Sequence, residues 1–589
     1  MLVVAAIVWR VADGAWPAIR VFHLGFVWHN DWNPVTNRFG ARDLIIGTVV
    51  TSFGAMLIAG PLSIAIGLFL SELAPSRLRG PVGTLIEMLA AVPSVVVGLW
   101  GIYVLAPFDA QHVQPVLGRA LGWIPIFAHG QDRVESTVFT AIVVLTIMTI
   151  PITSSICREL FLGVPTELEE ASIGLGATRW EMVRTVVVPS VRGGVVAAVI
   201  LGLGRARRRG DRRDAGDRKL HTAQALALRA GGHARQPCCE PVPGGTLEPR
   251  RLVTHLPRAD PARDHVHREL RRAASRQALR VPTGGRRLMD APFSLRATGR
   301  GRRRLIVNRI AEVVAVAAAG VAILALGILV WSVFSRGAHA LSWGFFTKGP
   351  ALFGQTGGGV APALVGSLLL VAIATAIALP FGVLTAIFVS EFAPRRIGAQ
   401  IRLWLDVLNG FPSIVIGIFV FALCVQVKLP IVGWGHHQSA FAGAFALSVI
   451  MLPLVARATM EVLTLVPKEL REASYALGVS KWRTVLGVVL PTAFGGILTG
   501  TTLAIARAAG ETAPLLFTCA LAGQVTDWNP AHSVNSIPLT IFTYSEAPDA
   551  SLHEQAWALA FVLIVFILLT SLTARFLLER SRRKLGATR

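Results

Sequence analysis

Eleven apolar segments dominate the sequence, and most are long enough to cross the ~30 Å hydrocarbon core of a bilayer, which takes about 20 residues. Because lipid offers backbone polar groups no other partner, such segments form helices. Charged residues make up 15% of the chain, against about 25% in soluble proteins. The sequence therefore predicts an all-α, polytopic membrane protein. Its segments lie near 1–24, 43–72, 82–106, 136–157, 189–204, 310–334, 361–392, 402–425, 440–464, 491–518 and 556–578.

The two halves of the chain repeat one another. Two early motifs, Ser-Glu-(Leu/Phe)-Ala-Pro and Pro-Ser followed by three aliphatic residues and Gly, recur at an offset of 319 residues. A later motif recurs at an offset of 302. Two homologous membrane domains in parallel orientation follow, each with up to six transmembrane helices. The matched pairs are 71–75 with 390–394, 93–98 with 412–417, and 164–172 with 466–474.

The later motif is a charged loop in each half. It reads Glu-Ala-Ser, any three residues, Gly, any nine residues, an aliphatic residue, any one residue, a second aliphatic residue and Pro. This pattern predicts a short amphipathic helix, a turn at Gly, and a second short helix before a span, because Gly reverses the backbone without strain at Cβ. Lys and Arg in the flanking short loops predict that these loops are cytoplasmic.

The two loops resemble the cytoplasmic EAA loop of ABC-importer permeases. Together with Phe-Pro-Ser-Ile-Val-Ile-Gly and the stretch 506–514, they make the chain similar to phosphate-specific ABC importer permeases, a system with two related permease subunits. The first half resembles one subunit and the second half the other, over nearly all of 1–206 and 289–589. The resemblance implies two type I ABC-importer permease domains that pass inorganic phosphate inward across a bacterial plasma (inner) membrane by alternating access. A permease for molybdate, sulfate or phosphonate is the alternative within this class.

The resemblance also implies partners. In that family the loop inserts into a cleft on a nucleotide-binding subunit, as in helix-in-groove recognition. The chain has no GxxxxGK[ST] phosphate loop, so we expect a separate ATPase dimer and a separate periplasmic or lipid-anchored phosphate-binding protein. We expect no enzymatic activity, metal or cofactor in the chain itself. The residues expected to couple to the ATPase are Glu167, Glu170, Ala171, Gly176, Glu469, Glu472, Ala473 and Gly478.

The resemblance also assigns charged residues of the fifth span to the anion path. In the second half these are Arg507 and Glu511, four residues apart and so expected on one helix face; the first half contributes Arg205. A charge inside a span is costly and usually functional, and a guanidinium can bind an oxyanion through two hydrogen bonds. A helix-stabilising ion pair within the helix is a compatible alternative.

A basic segment interrupts the first half. Residues 205–304 hold 26 Lys+Arg and 9 Asp+Glu, which is +17 of the formal net charge of +23. The repeat equivalent of residues 205–288 is 507–578, which contains the end of the fifth span and all of the sixth, so one crossing is missing. One interpretation is a disordered basic linker that binds anionic lipid or, less favoured, nucleic acid. A zinc or redox insert is disfavoured because Cys238 and Cys239 are adjacent, which is poor chelate spacing.

A reading-frame slip in the gene is the third interpretation. When codons 208–220 are read from their second base, with GC-rich third bases chosen freely, they permit Gly-Glu-Ala-Thr-Ala-Val-Thr-Leu-Val-Ile-Gly-Asn. The hidden Gly and Glu fall at codons 208 and 209, in register with Gly510 and Glu511. We therefore divide the chain into an incomplete first permease domain (1–206), an Arg-rich junction translated out of frame (207–288) and a second permease domain (289–589). A non-functional frameshifted fusion product remains an alternative to a working fused protein.

Overall fold

The computed structural model describes residues 2–23, 25–33, 35, 38–123, 137–210, 299–350, 358–426, 438–519 and 526–586. The chain forms two units, one of residues 1–227 with 307–589 and one of residues 228–306. Of the second unit, only 299–306 are described, and they contain the start of the helix Arg300–Gly337. The predicted junction 207–288 therefore lies outside the described residues, except for 207–210.

The first half is helical apart from one small hairpin. Two short strands, β1 (Trp32–Asn33) and β2 (Arg38–Phe39), pair antiparallel with Trp32 opposite Phe39. A run of α-helical and π-helical turns continues the helix that begins at Ser94 as far as Leu121. The described helices are α1 (Leu2–Phe22), α2 (Gly25–Trp28), α3 (Arg42–Leu68), α4 (Ser76–Ala91), α5 (Ser94–Trp100), α6 (Ala106–Phe108), α7 (Gln114–Leu121), α8 (Val138–Leu162), α9 (Thr166–Gly174), α10 (Arg179–Met182) and α11 (Val188–Gly210).

The second half repeats this order. Five-residue π-helical turns again extend several helices, as they do after α3 and α10 in the first half. The described helices are α12 (Arg300–Gly337), α13 (Trp343–Thr347), α14 (Ala361–Ile387), α15 (Arg395–Gly410), α16 (Ser413–Phe421), α17 (Ala440–Leu465), α18 (Lys468–Ala476), α19 (Lys481–Thr484), α20 (Leu490–Ala509), α21 (Leu515–Thr518), α22 (Ile537–Glu546) and α23 (Ala550–Gly586).

Nine helices of the described residues are long and apolar enough to span a membrane, or ten when one bent pair is counted as a span. The all-α, multi-pass prediction is confirmed. Four of the nine belong to the first half, and the helix α1, predicted as a span near 1–24, is not among them. The spans are Arg42–Leu73, Ser94–Ala120, Val138–Leu162, Arg179–Ile200, Gly301–Ala340, Ala361–Phe392, Ala440–Leu465, Lys481–Ala509 and Ala550–Thr573.

The predicted spans 82–106 and 402–425 are wrong as continuous helices. The chain breaks before Pro93 and before Pro412, and the second break bends α15 against α16 by 93°. Val92 and Phe411 have extended backbones, with ψ of 126° and 141°. A residue before proline is pushed out of the helical region by the proline ring, so the repeated Pro-Ser motif ends one helix and starts the next.

The first helix of each half packs against the other half. Val4 and Ile7 of α1 are buried in a cluster with Phe419 and Val420 of the second half. In the other direction, α12 buries four alanines against α3 and its π-helical extension, where Ile66 is fully buried. Small side chains spaced three or four residues apart let two membrane helices approach closely. The four alanines are Ala315, Ala318, Ala319 and Ala322.

The remaining helices form the bodies of the two halves. Helix α3 packs along α8 and α11, and α14 packs along α17, which also packs against α20. The last helix, α23, lies against α20 and α22. It also joins a buried cluster with the first half, in which Trp557 and Leu563 lie with Val96 and Trp100. The interface between the halves is therefore part of the core.

Candidate functional site

Two regions of the described structure contain the residues that the sequence singles out. The first region is the pair of Glu-Ala-Ser loops. In each, a nine-residue helix, α9 or α18, is followed by a turn and a four-residue helix, α10 or α19. The predicted helix, turn and helix are present in both halves.

The turns are built in the same way in both loops. Gly176 and Gly478 have φ of +84° and +75°, the left-handed region that favours glycine. The Gly176 N–H donates to Ile173 O at 2.9 Å, and the next N–H, of Ala177, donates to Ser172 O at 3.2 Å. These two bonds form a Schellman motif, which satisfies carbonyls at the end of the helix. The same two bonds follow α18.

The predicted coupling residues all lie at the surface of these loops. An apolar side chain precedes each turn glycine and is almost fully exposed, with Leu175 at 91% and Leu477 at 83%. Each loop therefore presents an apolar side chain at its tip, directly after a helix that carries exposed carboxylates. The exposed residues are Glu167, Glu170, Ala171, Gly176, Glu469, Glu472, Ala473 and Gly478.

The second-half loop is tied to the end of α14 by an ion pair. The Arg471 guanidinium donates to Glu391 Oε1 at 2.9 and 3.2 Å, and to the carbonyls of Val466 and Leu463 at 2.7 and 2.8 Å. The Glu391 side chain is only 8% exposed. Glu391 belongs to the repeated Ser-Glu-Phe-Ala-Pro motif, so this motif and the loop form one connected element.

The first-half loop is held differently. Its equivalent of Arg471 is Glu169, which faces Glu72, the equivalent of Glu391. Burial raises the pKa of the Glu169 carboxyl, and the negative charges of Glu72 and Glu170 raise it further. The loop is instead bound to the other half, because the Trp180 N–H donates to Asn308 Oδ1 of α12 at 2.8 Å.

The second region is a cavity of about 610 Å³ between the two halves. The first half contributes Glu87, Ser94 and Glu159 to its lining, among others. The second half contributes Ser413, Arg507, Glu511 and Ser571. Both repeated Pro-Ser breaks reach this cavity, so the cavity lies where the two domains meet and where their helices are interrupted.

Arg507 and Glu511 face each other in the cavity, but the expectation that both lie on one helix is wrong. Helix α20 ends at Ala509, and Glu511 follows the helix end. The N–H groups of Gly510 and Glu511 donate to carbonyls three residues back, both at 3.1 Å, which tightens the final turn. Arg507 Nε and Glu511 Oε1 are 4.0 Å apart, so the ion pair joins the helix to the loop after it.

Gly510 brings this turn against the break in the first half. A Cβ atom added at Gly510 would lie 3.2 Å from Cβ and Cγ of Pro93, which is tighter than an ordinary van der Waals contact. The glycine therefore allows the Arg507–Glu511 turn to pack on the Pro-Ser break. Arg205, the third predicted residue of the anion path, lies in α11, and its side chain is outside the described residues. Its role stays a prediction.

Several polar residues of the cavity were not identified from the sequence, among them Glu87, Glu159 and Ser571. Glu87 and Glu159 have acidic equivalents in the second half, Asp406 and Glu461, at the two repeat offsets. Acidic residues repeated beside or within apolar segments were a signal that could have identified them. Ser571 offered no signal; its side chain is 7% exposed, and its hydroxyl has no hydrogen-bond partner among the described residues.

Comparison with known proteins agrees with the two-domain reading. The family model described as binding-protein-dependent transport system inner membrane component matches residues 63–206 and again residues 378–583. The second half is similar to phosphate transport system permease protein PstA 1 of Mycobacterium tuberculosis, at 39% identity over 48% of this chain and 91% of the relative. The corresponding PstA protein of Yersinia pestis is 37% identical over 47% of this chain and 91% of its own length.

The first half is similar to a different permease. Phosphate transport system permease protein PstC of Pasteurella multocida is 45% identical over 35% of this chain. The chain spans 65% of that relative, which is less than two thirds of its length. The family model, by contrast, matches more than half of this chain, once in each half. The chain therefore belongs to the family of binding-protein-dependent transport system inner membrane components.

Proposed function

We propose that the chain forms the membrane pathway of an ATP-driven importer of inorganic phosphate. The observation that carries this proposal is the cavity between the halves, in which Arg507 lies beside Glu511. A guanidinium binds an oxyanion through parallel N–H donors, and a charge placed in a membrane domain is costly enough to indicate function. The name of the relatives, phosphate transport system permease protein, agrees with this ligand.

The two Glu-Ala-Ser loops are the proposed docking sites for a separate ATPase dimer. Each loop offers a short helix with an exposed leucine at its tip, Leu175 or Leu477. An amphipathic helix with an exposed apolar residue suits binding in a groove of a partner. Because the feature occurs once in each half, it fits two copies of an ATPase subunit, one on each loop.

Movement of these loops would be passed to the membrane helices through specific bonds. The Arg471–Glu391 pair connects α18 to the end of α14, and the Trp180–Asn308 bond connects the first-half loop to α12. In alternating access, ATP binding and hydrolysis on the partner shift the equilibrium between two global states. We propose that these two links carry that shift to the cavity.

The transport direction and the other partner follow from the family. A binding-protein-dependent system receives its ligand from a separate binding protein, which we propose is a periplasmic or lipid-anchored phosphate-binding protein. The chain would lie in the bacterial inner membrane, with the two loops on the cytoplasmic side. Membrane lipid is then the solvent of the outer helix faces, and the chain itself would perform no covalent chemistry.

We propose the domain division 1–206, 207–288 and 289–589, with the middle segment translated out of frame. Its support is that the family match of the first half ends at residue 206, where the apolar pattern also stops. Resequencing the DNA across codons 200–290, with mass spectrometry of the membrane fraction, tests it. An extra or missing base, or peptides from the shifted frame, would support the proposal. Matching DNA together with Arg-rich peptides in an intact chain would overturn it and favour a basic linker.

Phosphate uptake tests the transport function. The full chain, and a frame-corrected gene pair as a second arm, would be expressed with the ATPase and binding protein in a host that lacks its own phosphate permease. We expect uptake of [³²P]phosphate in the arm with complete domains, and loss of uptake in the Arg507→Ala variant. Arg402→Ala is the matched control, because Arg402 is exposed on α15 and does not line the cavity. Absence of uptake in both arms would refute the proposal.

Another oxyanion remains the second candidate, since a guanidinium in a cavity also binds sulfate, molybdate or a phosphonate. Competition in the same cells separates these ligands. Excess sulfate, molybdate or phosphonate should leave [³²P]phosphate uptake unchanged if phosphate is the substrate. Uptake of one of these anions in preference to phosphate would replace the proposal.

A further inference from the structure

The Arg507–Glu511 pair is open. Arg507 Nε and Glu511 Oε1 are 4.0 Å apart, beyond hydrogen-bond distance. Within the described residues, neither side chain makes a hydrogen bond to another group, and both are partly exposed in the cavity, at 33% and 20%. The five donors of Arg507 and the oxygens of Glu511 are therefore available to a ligand in the cavity that contacts both side chains.

The chemistry of the pair restricts that ligand. A guanidinium only donates hydrogen bonds, and an ionised carboxylate only accepts them. A ligand that satisfies both must accept from Arg507 and donate to Glu511. Phosphate at neutral pH still carries a proton, whereas sulfate and molybdate are fully deprotonated dianions. Only the protonated anion can place an O–H against Glu511; the others would place an anionic oxygen against a carboxylate.

The charge of the cavity acts in the same direction. The described lining includes three carboxylates, Glu87, Glu159 and Glu511, and one arginine, Arg507. Glu87 lies 3.6 Å from the guanidinium of Arg158, so its charge is partly offset. Phosphate at neutral pH is a mixture of H2PO4⁻ and HPO4²⁻. A cavity with this balance repels the monoanion less than it repels sulfate, because the repulsion rises with the charge of the ligand. HPO4²⁻ carries the same charge as sulfate and differs from it in having a proton to donate.

We infer that Glu511 is a specificity-determining residue that accepts the proton-bearing oxygen of a protonated oxyanion bound to Arg507, and so rejects sulfate and molybdate. The inference rests on the proposed phosphate transport and adds the protonation state of the ligand. A site built to hydrogen-bond a hydroxyl rejects an analogue that lacks it by about 10⁴-fold when fully buried. Because both groups are partly exposed, we expect a smaller difference, on the order of 100-fold.

Equilibrium binding to the full-length chain in lipid nanodiscs, without a binding protein, tests this inference. Bound [³²P]phosphate would be displaced with inorganic phosphate, arsenate or sulfate. Arsenate keeps a proton as phosphate does, so it should compete at similar concentrations, whereas sulfate should need about 100-fold more. In Glu511→Gln this gap should narrow to below about 10-fold, because the amide can donate to a sulfate oxygen.

Two further variants separate this effect from a change in charge or folding. Glu159→Gln removes one charge from the same cavity, so it should narrow the arsenate-to-sulfate gap only by the part that is due to charge, clearly less than Glu511→Gln does. Equal narrowing in the two variants would overturn the inference. Glu511→Asp keeps the carboxylate and should retain the gap even if Glu511→Gln does not bind. If neither the wild-type chain nor the frame-corrected pair with complete domains binds any of the anions, the proposed function fails. If wild type binds phosphate but sulfate competes as well as arsenate, or if Glu511→Gln leaves the gap unchanged, only this inference is overturned.

Discussion

The ion pair between Arg471 and Glu391 gives a quantitative test of how the second-half loop is held. The substitution Arg471→Met keeps a long side chain but removes four hydrogen bonds, two of them to Glu391 Oε1 at 2.9 and 3.2 Å. The Glu391 carboxylate, whose side chain is only 8% exposed, then has lost its cation. The perturbation therefore acts on the anchor of α18 and not on the exposed face that we propose for docking.

The expected magnitude follows from burial. Removing one partner of a buried ion pair costs about 3–5 kcal/mol, because the remaining charge is left uncompensated. Arg471 is 17% exposed, so water reaches the pair and we expect the lower end, about 3 kcal/mol. The double variant Arg471→Met with Glu391→Gln removes the charge as well and should recover about half of the loss.

Hydrogen exchange of the α18 amides in the purified protein measures this energy locally. A loss of about 3 kcal/mol in the opening free energy corresponds to roughly 100-fold faster exchange. Arg402→Met, on an exposed arginine of α15, is the control and should leave α18 unchanged. An increase below about threefold in Arg471→Met would show that the pair does not hold the loop. If exchange of the α18 amides were accelerated equally in Arg471→Met and in the double variant, the uncompensated charge of Glu391 would not be the cause of the lost stability.

Three further outcomes follow from the structure. The pKa of Glu169 is raised in the folded protein, so the wild type loses stability as pH rises through that pKa. The melting temperature of Glu169→Gln should therefore exceed that of the wild type by a margin that grows from pH 4 to pH 7; a margin that does not change with pH would contradict this. Gly176→Ala should destabilise its loop by about 1–2 kcal/mol at φ +84°, while the helical Gly174→Ala should stabilise it by about 0.5–1 kcal/mol; equal hydrogen-exchange effects would refute the turn argument. Tyr103→Phe should lower stability by about 1 kcal/mol, measured by thermal unfolding, because the Tyr103 hydroxyl donates to Ser545 O and contacts His553 Nε2, both at 2.8 Å and both across the halves. An unchanged melting temperature would show that these contacts do not stabilise the interface between the halves.

The sequence predicts most of the local structure that carries the proposed function. The repeat predicts two domains of like fold, and the Glu-Ala-Ser motif predicts the turns at Gly176 and Gly478, because left-handed backbone is a local property of glycine. The apolar segments predict spans well where no proline interrupts them. These features depend on residues that are close together in the sequence.

Most features that the sequence did not predict depend on residues far apart in it. The breaks at Pro93 and Pro412 are local. Pro151 and Pro453, however, lie inside unbroken helices, so a proline alone does not show where a span ends. The segment lengths predict spans near 82–106 and 402–425, but Pro93 and Pro412 break both. The pattern places Glu511 on the helix of Arg507, but the helix ends at Ala509 against Pro93 of the other half. An apolar helix such as α12 reveals its length from sequence but not its partner, since lipid and protein are both apolar.

The most direct test of the central claim is ATP-dependent accumulation of [³²P]phosphate in proteoliposomes. The vesicles would hold the full chain or its frame-corrected form with the ATPase, with ATP and the phosphate-binding protein on opposite sides of the membrane. We expect accumulation that requires ATP hydrolysis, is lost in Arg507→Ala and is unaffected by excess sulfate. Accumulation that persists unchanged in Arg507→Ala, or none in either form, would contradict it.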